Sequence, residues 1–238
     1  MKPKERIILA LDVDSEARAL ELVEKLADSV GAFKVGMQLY NQVGPGIVRQ
    51  IQDLGGRVFV DLKFHDIPNT VAGAARVMTG LNCFMFNVHS SGGRDMMTAA
   101  MKAVQEESAR LGCAPPLVLA VTVLTSISEQ QLHDEMYISR SMEQTVMGWA
   151  QMAKECGLNG VVCSPQEIEP IRRACGSDFV IVTPGIRPLW SEKNDQKRIT
   201  TPREALRLGA DYMVIGRPIT AAPDPREAAL RIIEELEE

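Results

Sequence analysis

Cysteine, histidine and aromatic residues are scarce in this chain of 238 residues. It has five cysteines, three histidines and only 5% aromatic residues. The cysteines are odd in number and none forms a C-x-x-C pair, so the sequence predicts neither a disulfide framework nor a zinc site. They are Cys83, Cys113, Cys156, Cys163 and Cys175. A reducing compartment suits such thiols, and we expect a cytoplasmic protein.

Long hydrophobic runs and an excess of positive charge are also missing. The apolar run at residues 7–11, behind a charged N-terminus, ends at Asp12 and is too short for a signal peptide. No stretch approaches the roughly 20 apolar residues of a membrane helix. There are 26 Lys and Arg residues against 31 Asp and Glu, for a net charge of -5. We therefore expect neither a membrane partner nor a nucleic-acid partner.

Short apolar, β-branched segments alternate with helical patterns along the whole chain. The candidate strands are residues 7–12, 33–37, 58–63, 83–89, 117–124, 160–164, 179–184 and 212–217. Their spacing of about 30 residues fits a strand plus a crossover helix. Both faces of the strands are apolar, as in parallel strands covered by helices. The sequence predicts an α/β fold, a (β/α)8 TIM barrel forming one domain over residues 1–238. An open doubly wound sheet is the alternative.

Two helices carry the clearest amphipathic patterns. The first has an apolar stripe at i, i+3, i+4 and i+7, made of Ala19, Leu22, Val23 and Leu26. We expect Gly31 to end that helix. Asp224 and Pro225 are typical of the start of the last helix. Its predicted buried face consists of Ala229, Ile232, Ile233 and Leu236.

Charged residues lie at the C-terminal ends of the predicted strands, where TIM barrels hold their active sites. Asp61 and Lys63 are two apart on one strand, so both should face the barrel mouth. Lys34 lies inside an apolar strand, where an ammonium group requires carboxylate partners. Asp12 and Asp61, on the neighbouring strands, are the natural ones. Such a network in a confined pocket can stabilise or repel developing charge strongly.

Two further features near this strand have competing interpretations. Asp66, three residues after Lys63, adds a carboxylate to the network or forms an ordinary salt bridge at a helix start. His89 could join Asp61, His65 and Asp66 in a divalent metal site. The ligand spacing is irregular and a third well-placed histidine is missing, so we favour a core or hydrogen-bonding role for His89 and expect no metal.

The last two strands end in segments that suit a phosphate group. Gly-Arg-Pro at residues 216–218 ends strand 8, and Gly-Ile-Arg-Pro at 185–188 follows strand 7. Glycine N–H groups can approach phosphate closely and arginine supplies a two-pronged donor. We therefore predict phosphate contacts from Arg187, Gly216 and Arg217, with a turn bearing a surface arginine as the alternative. The polar residues 190–198, which include Gln196, are typical of a lid.

Taken together, several segments resemble the bacterial type of the orotidine 5'-monophosphate decarboxylase family. The most specific is DLKFHDIPNT at residues 61–70. The others are LALD at 9–12, FKVG at 33–36, VTVLTS at 121–126, TPGIRP at 183–188, DQKR at 195–198 and VIGRPI at 214–219. One departure is the segment LWSEKN at 189–194, which is bulkier than the small residues usual in the family.

The resemblance implies a cofactor-free decarboxylation of orotidine 5'-monophosphate to uridine 5'-monophosphate, the last step of pyrimidine synthesis. It implies that Lys63 is the proton donor. Asp61 and Asp66 would hold Lys63 and lie near the departing carboxylate, with Lys34 completing the network.

The same resemblance implies the contacts to the rest of the nucleotide. The implied substrate-binding residues are Asp12, Lys34 and Thr70 on the ribose side, Thr125, Ser126 and Pro184 around the pyrimidine edge and strand 7, and Arg187, Gln196, Gly216 and Arg217 at the phosphate and its lid. From the sequence alone, a helix cap is the alternative for Thr125 and Ser126. In the family, the residues matching Asp66 and Thr70 reach the neighbouring subunit's site, which implies a homodimer.

Three rival functions make different demands on these residues. Magnesium-dependent sugar-phosphate decarboxylases and aldol synthases that share D-x-K-x-x-D place a carboxylate ligand on strand 2, where this chain has Lys34. A Schiff-base aldolase needs a partly neutral Lys63, whereas two nearby carboxylates favour the ammonium form. A non-catalytic nucleotide-phosphate binding protein has no need of the full set of acids and lysines.

Overall fold

Eight parallel strands form one closed barrel in a computed structural model that describes residues 1–191 and 200–237. Each strand pairs with the next, and the last pairs with the first. The strands are β1 (Ile7–Ala10), β2 (Ala32–Gly36), β3 (Val58–Phe64), β4 (Met85–His89), β5 (Leu117–Val121), β6 (Gly160–Val162), β7 (Val180–Thr183) and β8 (Tyr212–Ile215). The predicted (β/α)8 barrel is confirmed, and the open sheet is wrong.

Helices cover the outside of the barrel. They are α1 (Glu16–Leu26), α2 (Met37–Val43), α3 (Gly46–Asp53), α4 (Pro68–Gly80), α5 (Gly93–Leu111), α6 (Glu129–Asp134), α7 (Met142–Glu155), α8 (Ile168–Cys175), α9 (Pro202–Leu208), α10 (Arg217–Thr220) and α11 (Pro225–Glu237). Asp224 accepts N–H bonds from the first turn of α11, as predicted. Of the predicted buried face of α11, only Ile233 is partly exposed.

Most of the predicted strands run too far at their C-terminal ends. β1 ends at Ala10 and β5 at Val121, because the residues beyond them leave the ladder to form the barrel rim. The buried stripe of α1 is as predicted, but Gly31 does not end that helix, which stops at Leu26. Gly31 instead lies against the backbone of Glu5, where a Cβ atom would collide with the carbonyl oxygen.

Alternate residues of each strand face two different cores. Inside the barrel, side chains such as Ile8 of β1, Phe59 of β3 and Leu119 of β5 form one buried cluster. On the outside, residues such as Ile7 and Leu9 of β1 pack against the helices in a second, larger cluster. The strands are therefore apolar on both faces, and polar side chains that enter the barrel stand out.

Two observations concern the location of the protein. All five cysteines are free thiols. Within residues 1–191 and 200–237, every helix is too short or too polar to cross a membrane.

Candidate active site

Four side chains of alternating charge meet at the C-terminal ends of β1, β2 and β3. The Lys34 Nζ lies 2.9 Å from Asp12 Oδ1 and 3.5 Å from Asp61 Oδ2. The Lys63 Nζ lies 2.6 Å from Asp61 Oδ1. We call Asp12, Lys34, Asp61 and Lys63 the charged cluster. The structure thus brings these four predicted site residues together, in the order Asp–Lys–Asp–Lys.

The inner part of the charged cluster is largely shielded from water. The side chains of Lys34 and Asp61 are 10% and 13% exposed, whereas that of Asp12 is 61% exposed. Burial opposes the ionisation of Asp61, but attraction to Lys34 and Lys63 and the hydrogen bonds that it accepts outweigh it, so its pKa is lowered. Asp61 is therefore a carboxylate across the physiological pH range.

The backbone of β3 is irregular where it carries the cluster. Val60 pairs with Phe86 and Phe64 with Val88, so three residues of β3 lie opposite the single residue Asn87. Such a bulge re-aims side chains at a barrel rim. Lys63 has φ of 53°, in a left-handed region that costs a non-glycine residue about 1–2 kcal/mol. The contact between Asp61 and Lys63 thus depends on a bulge and not on regular strand alternation.

Asn87 of β4 holds this bulge. The sequence patterns above did not predict a role for it. Its side chain is fully buried. The Asn87 Oδ1 accepts the backbone N–H of Lys63 at 2.8 Å, and its Nδ2 donates to Asp61 Oδ1 at 2.7 Å. The available signal was an amide in the apolar strand Met85–His89, two residues after an inward-facing methionine.

Gly36, at the end of β2, leaves room for the Lys34 ammonium. A Cβ atom at this position would lie 3.0 Å from Lys34 Nζ and 3.4 Å from Asp12 Oδ1. The glycine therefore allows the close approach of the ion pair.

Asp66 and Thr70 are not brought to the cluster by their own chain. Both are exposed, and Asp66 Oδ1 accepts the backbone N–H of Ile67 at 2.6 Å. Among the described residues, no ion pair joins Asp66 to Lys63. Both residues lie on the segment that leaves β3 and opens α4, which begins at Pro68.

The opposite half of the barrel mouth holds a cavity of about 810 Å³. It lies at the ends of β5, β6 and β7, and its lining includes the predicted residues Thr125, Ser126 and Pro184. The helix-cap alternative for Thr125 and Ser126 is wrong, because Ser128 caps α6 by accepting the N–H of Gln131.

The predicted phosphate residues lie at β7 and β8. Arg187 is buried, and its backbone N–H donates to the carbonyl of Thr200 at 3.1 Å. Gly216 follows β8 and Arg217 opens α10 with an exposed side chain. Gln196 and most of the predicted lid lie outside the described residues.

Histidines contribute no metal site in the part of the chain that the structure describes. His65 and His89 pack ring against ring, with centroids 5.6 Å apart. Burial lowers the pKa of His89, and the nearby His65 and Lys63 lower it further. Within residues 1–191 and 200–237, no group of three or more His, Cys, Asp and Glu side chains is arranged to hold a metal ion.

Glu167 lies at the edge of the cavity, and its ionisation should make the free energy of unfolding depend on pH. Burial raises the pKa of Glu167 to about 7, although its carboxylate accepts the N–H of Ser164 at 2.9 Å. The folded state therefore binds this proton more tightly than the unfolded state, so stability falls as pH rises from about 4.5 to about 7. We expect Glu167→Gln to raise the free energy of unfolding at pH 8 by about 1–3 kcal/mol.

Urea unfolding at pH 5 and pH 8 measures this effect. Glu169→Gln is the matched control, because Glu169 belongs to the neighbouring turn and its side chain is 63% exposed. A Glu167→Gln protein with the same pH dependence as wild type would contradict the prediction.

Comparison with known proteins agrees with the geometry. Residues 5–232 match the family model for the orotidine 5'-phosphate decarboxylase / HUMPS family. The chain is 66% identical to the orotidine 5'-phosphate decarboxylase of Syntrophomonas wolfei subsp. wolfei, over all of both chains. It is 54% identical to the protein of that name from Moorella thermoacetica, covering 100% of this chain and 94% of that one.

Solved structures give the same result. The crystal structure of orotidine 5'-phosphate decarboxylase from Lactobacillus acidophilus superposes with a TM-score of 0.87 at 37% identity, covering 98% of this chain and 99% of that one. The one from Pyrococcus horikoshii OT3 gives 0.77 at 27% identity, with the same coverage. Because the family model and these relatives span nearly the whole barrel, including the strands that carry the charged cluster, the chain belongs to the orotidine 5'-phosphate decarboxylase / HUMPS family.

Proposed function

We propose that this protein converts orotidine 5'-monophosphate to uridine 5'-monophosphate and CO2, in pyrimidine biosynthesis. The observation that carries the proposal is the charged cluster, in which two ammonium groups alternate with two carboxylates at the barrel mouth. Family membership and the names of the relatives agree with it.

The reaction needs fixed charge more than it needs a base. Loss of CO2 leaves an electron pair on C6 of the pyrimidine, in the plane of the ring, where the π system cannot delocalise it. A cation fixed beside C6 stabilises that pair because it requires no reorganisation during the reaction. We assign this part to Lys63, whose Nζ then delivers its proton to C6 and completes the product.

Asp61 has two roles in this mechanism. Its carboxylate holds the Lys63 ammonium at 2.6 Å and so fixes the proton donor. It also places negative charge near the substrate's carboxylate, an interaction that disappears when CO2 departs. The Lys34 ammonium lies 3.5 Å from the other oxygen of Asp61 and balances the negative charge of that carboxylate. We assign Lys34 and Asp12 to the ribose side of the substrate.

The remaining predicted residues bind the rest of the nucleotide. Thr125, Ser126 and Pro184 line the cavity of about 810 Å³, which we assign to the pyrimidine edge. We assign the phosphate to Arg187, Gly216 and Arg217, and also to Gln196, which lies outside the described residues. Binding energy from this remote phosphate can hold the pyrimidine against the charged cluster, so that the cluster acts on the correct substrate.

Lys34 separates this function from magnesium-dependent sugar-phosphate chemistry. Its ammonium lies between Asp12 and Asp61 and would repel a divalent cation held by the same carboxylates. The Lys63 Nζ is likewise engaged in a hydrogen bond to a carboxylate, whereas a Schiff base requires an amine free to attack a carbonyl.

A turnover assay after metal removal tests the proposal. Purified protein is treated with EDTA, dialysed and mixed with orotidine 5'-monophosphate, and the ultraviolet spectrum and released CO2 are followed. We expect full turnover without added metal. A folded sample that leaves the nucleotide unchanged until Mg²⁺ is restored would contradict the proposal.

We also propose that the protein works as a homodimer in which Asp66 and Thr70 enter the neighbouring subunit's site. Three observations support this arrangement. Both residues are exposed in the single chain, they lie between the end of the strand that carries Lys63 and the first turn of α4, and Ile67 between them is 66% exposed. An apolar side chain at this position suits a subunit contact.

Mixing two inactive variants tests the shared site. In a heterodimer of Lys63→Ala and Asp66→Ala chains, one site carries neither substitution, so we expect about a quarter of wild-type activity after random exchange. Mixing Lys63→Ala with Asp61→Ala is the matched control, because these two residues act in the same subunit and no activity should return. Subunit exchange is verified with two purification tags, and exchange without recovery of activity would refute the shared site.

The free thiols support a further proposal on location. All five cysteines are unpaired; three are buried and two are partly buried. Free thiols suit a reducing environment. We propose that the protein is cytoplasmic.

A further inference from the structure

We infer that Asn87 is a positioning residue for the decarboxylation, one that sets the place of Lys63 and the charge of Asp61 without touching the substrate. The inference rests on the proposed function. The amide of Asn87 joins the backbone of the proton donor to the side chain of its partner, with bonds of 2.8 Å to the Lys63 N–H and 2.7 Å to Asp61 Oδ1.

The bulge of β3 makes this amide necessary. Between the pairs Val60–Phe86 and Phe64–Val88, three residues face one, so the backbone N–H of Lys63 has no carbonyl of β4 opposite it. The Asn87 Oδ1 takes the place of that missing carbonyl and holds Lys63 at a φ of 53°. Without this acceptor, a part-buried N–H would lose its partner and Lys63 would relax towards the regular strand.

The other end of the amide acts on charge. Asp61 Oδ1 accepts hydrogen bonds from both Lys63 Nζ and Asn87 Nδ2. The Nδ2 group therefore stabilises the carboxylate while adding no net charge of its own. Together the four groups close a ring: Asn87 amide, Lys63 backbone, Lys63 ammonium and Asp61 carboxylate.

Asn87→Ala removes both bonds, and its expected effect is confined to the chemical step. A displacement of about 1 Å in a reacting group lowers kcat about 100-fold. The affinity for uridine 5'-monophosphate should change less than about threefold. Asn87 does not line the cavity and is not one of the predicted phosphate-binding residues. A crystal structure of the variant should show Lys63 outside the left-handed region.

Asn159→Ala is the matched control. Asn159 Oδ1 also accepts a hydrogen bond from a strand, the backbone N–H of Val118 at 2.8 Å. Asn159 comes just before β6, and Val118 is the second residue of β5. This bond therefore lies at the N-terminal end of the strands, opposite the barrel mouth. A merely structural role of Asn87 predicts the same outcome for both variants. We expect Asn159→Ala to lose stability and to keep its kcat.

Asn87→Asp gives a second, independent test. Its new oxygen would face Asp61 Oδ1 in place of Nδ2, so the two carboxylates share one proton with a raised apparent pKa. With that proton bound, an O–H replaces the lost N–H and the net charge of the native site is restored. The kcat of Asn87→Asp relative to wild type should therefore rise as pH falls from 8 to 5.5, while Asn87→Ala shows no such recovery.

The outcomes separate this inference from the proposed function. Absence of turnover by wild type overturns both. With an active wild type, a kcat of Asn87→Ala within about threefold of wild type, or a parallel loss of nucleotide affinity, overturns the inference. If Asn87→Ala does not fold, Asn87→Asp decides: recovery of relative kcat at low pH supports the inference, and a flat ratio overturns it.

Discussion

The Lys63→Ala protein is expected to lose at least about 10⁴-fold in kcat, the combined effect of a missing proton donor and a missing fixed charge. No other described ammonium lies on Asp61 Oδ1, since Lys34 contacts the second oxygen of that carboxylate at 3.5 Å. The substitution therefore leaves C6 without a proton source. Single-turnover assays with orotidine 5'-monophosphate measure the loss.

Lys25→Ala provides the control for a lost lysine–carboxylate pair. The Lys25 Nζ lies 2.7 Å from Glu21 Oε1, but this pair is on the exposed surface of α1. Its removal should leave kcat unchanged and stability nearly so. If Lys63→Ala kept more than about a tenth of wild-type kcat, Lys63 would not be the proton donor.

Asp61→Asn is expected to lower kcat about 1000-fold, because it removes charge from the centre of the cluster and keeps the shape of the side chain. The Lys34 and Lys63 ammonium groups would then face each other without the carboxylate between them, and Lys63 would lose its fixed position. The KM should not rise, since the substrate's own carboxylate no longer meets a negative charge. Steady-state kinetics separate the two constants.

Asp211→Asn is the control for a lost, partly buried carboxylate. Asp211 Oδ2 accepts a bond from Arg172 at 2.6 Å and from the N–H of Ile181 at 2.8 Å, and it precedes β8, away from the barrel mouth. This variant should lose stability and keep its kcat. Equal losses of kcat in Asp61→Asn and Asp211→Asn would show that activity follows general stability and not the local charge.

The fold was predictable because it depends on repetition. Each strand is an apolar run buried on two sides, and the pattern recurs eight times with crossover helices between. The pairings of Lys34 with Asp12 and Asp61 were predictable for an electrostatic reason: an ammonium inside an apolar strand requires carboxylates nearby. Both arguments use only residue type and spacing.

The bulge and Asn87 could not be predicted in this way. Regular alternation also puts Asp61 and Lys63 on one face, so the sequence predicts their contact and conceals the left-handed backbone that produces it. The role of Asn87 depends on a side chain bonding to the backbone of a residue 24 positions earlier, and no local pattern encodes that pairing. The sequence of one chain likewise does not show which Lys63 the Asp66 side chain meets, because its proposed partner belongs to the neighbouring subunit.

The exposure gradient of the charged cluster has a consequence for ionic strength. Asp12 faces water, whereas Asp61 lies in the dry interior. Dissolved ions screen exposed charges over about 8–10 Å at ordinary salt concentrations, and they act far less on buried pairs. Added salt should therefore screen the exposed Asp12, whose charge has the same sign as the nucleotide's phosphate, while the bond-breaking step beside the largely buried Asp61 proceeds at an unchanged rate.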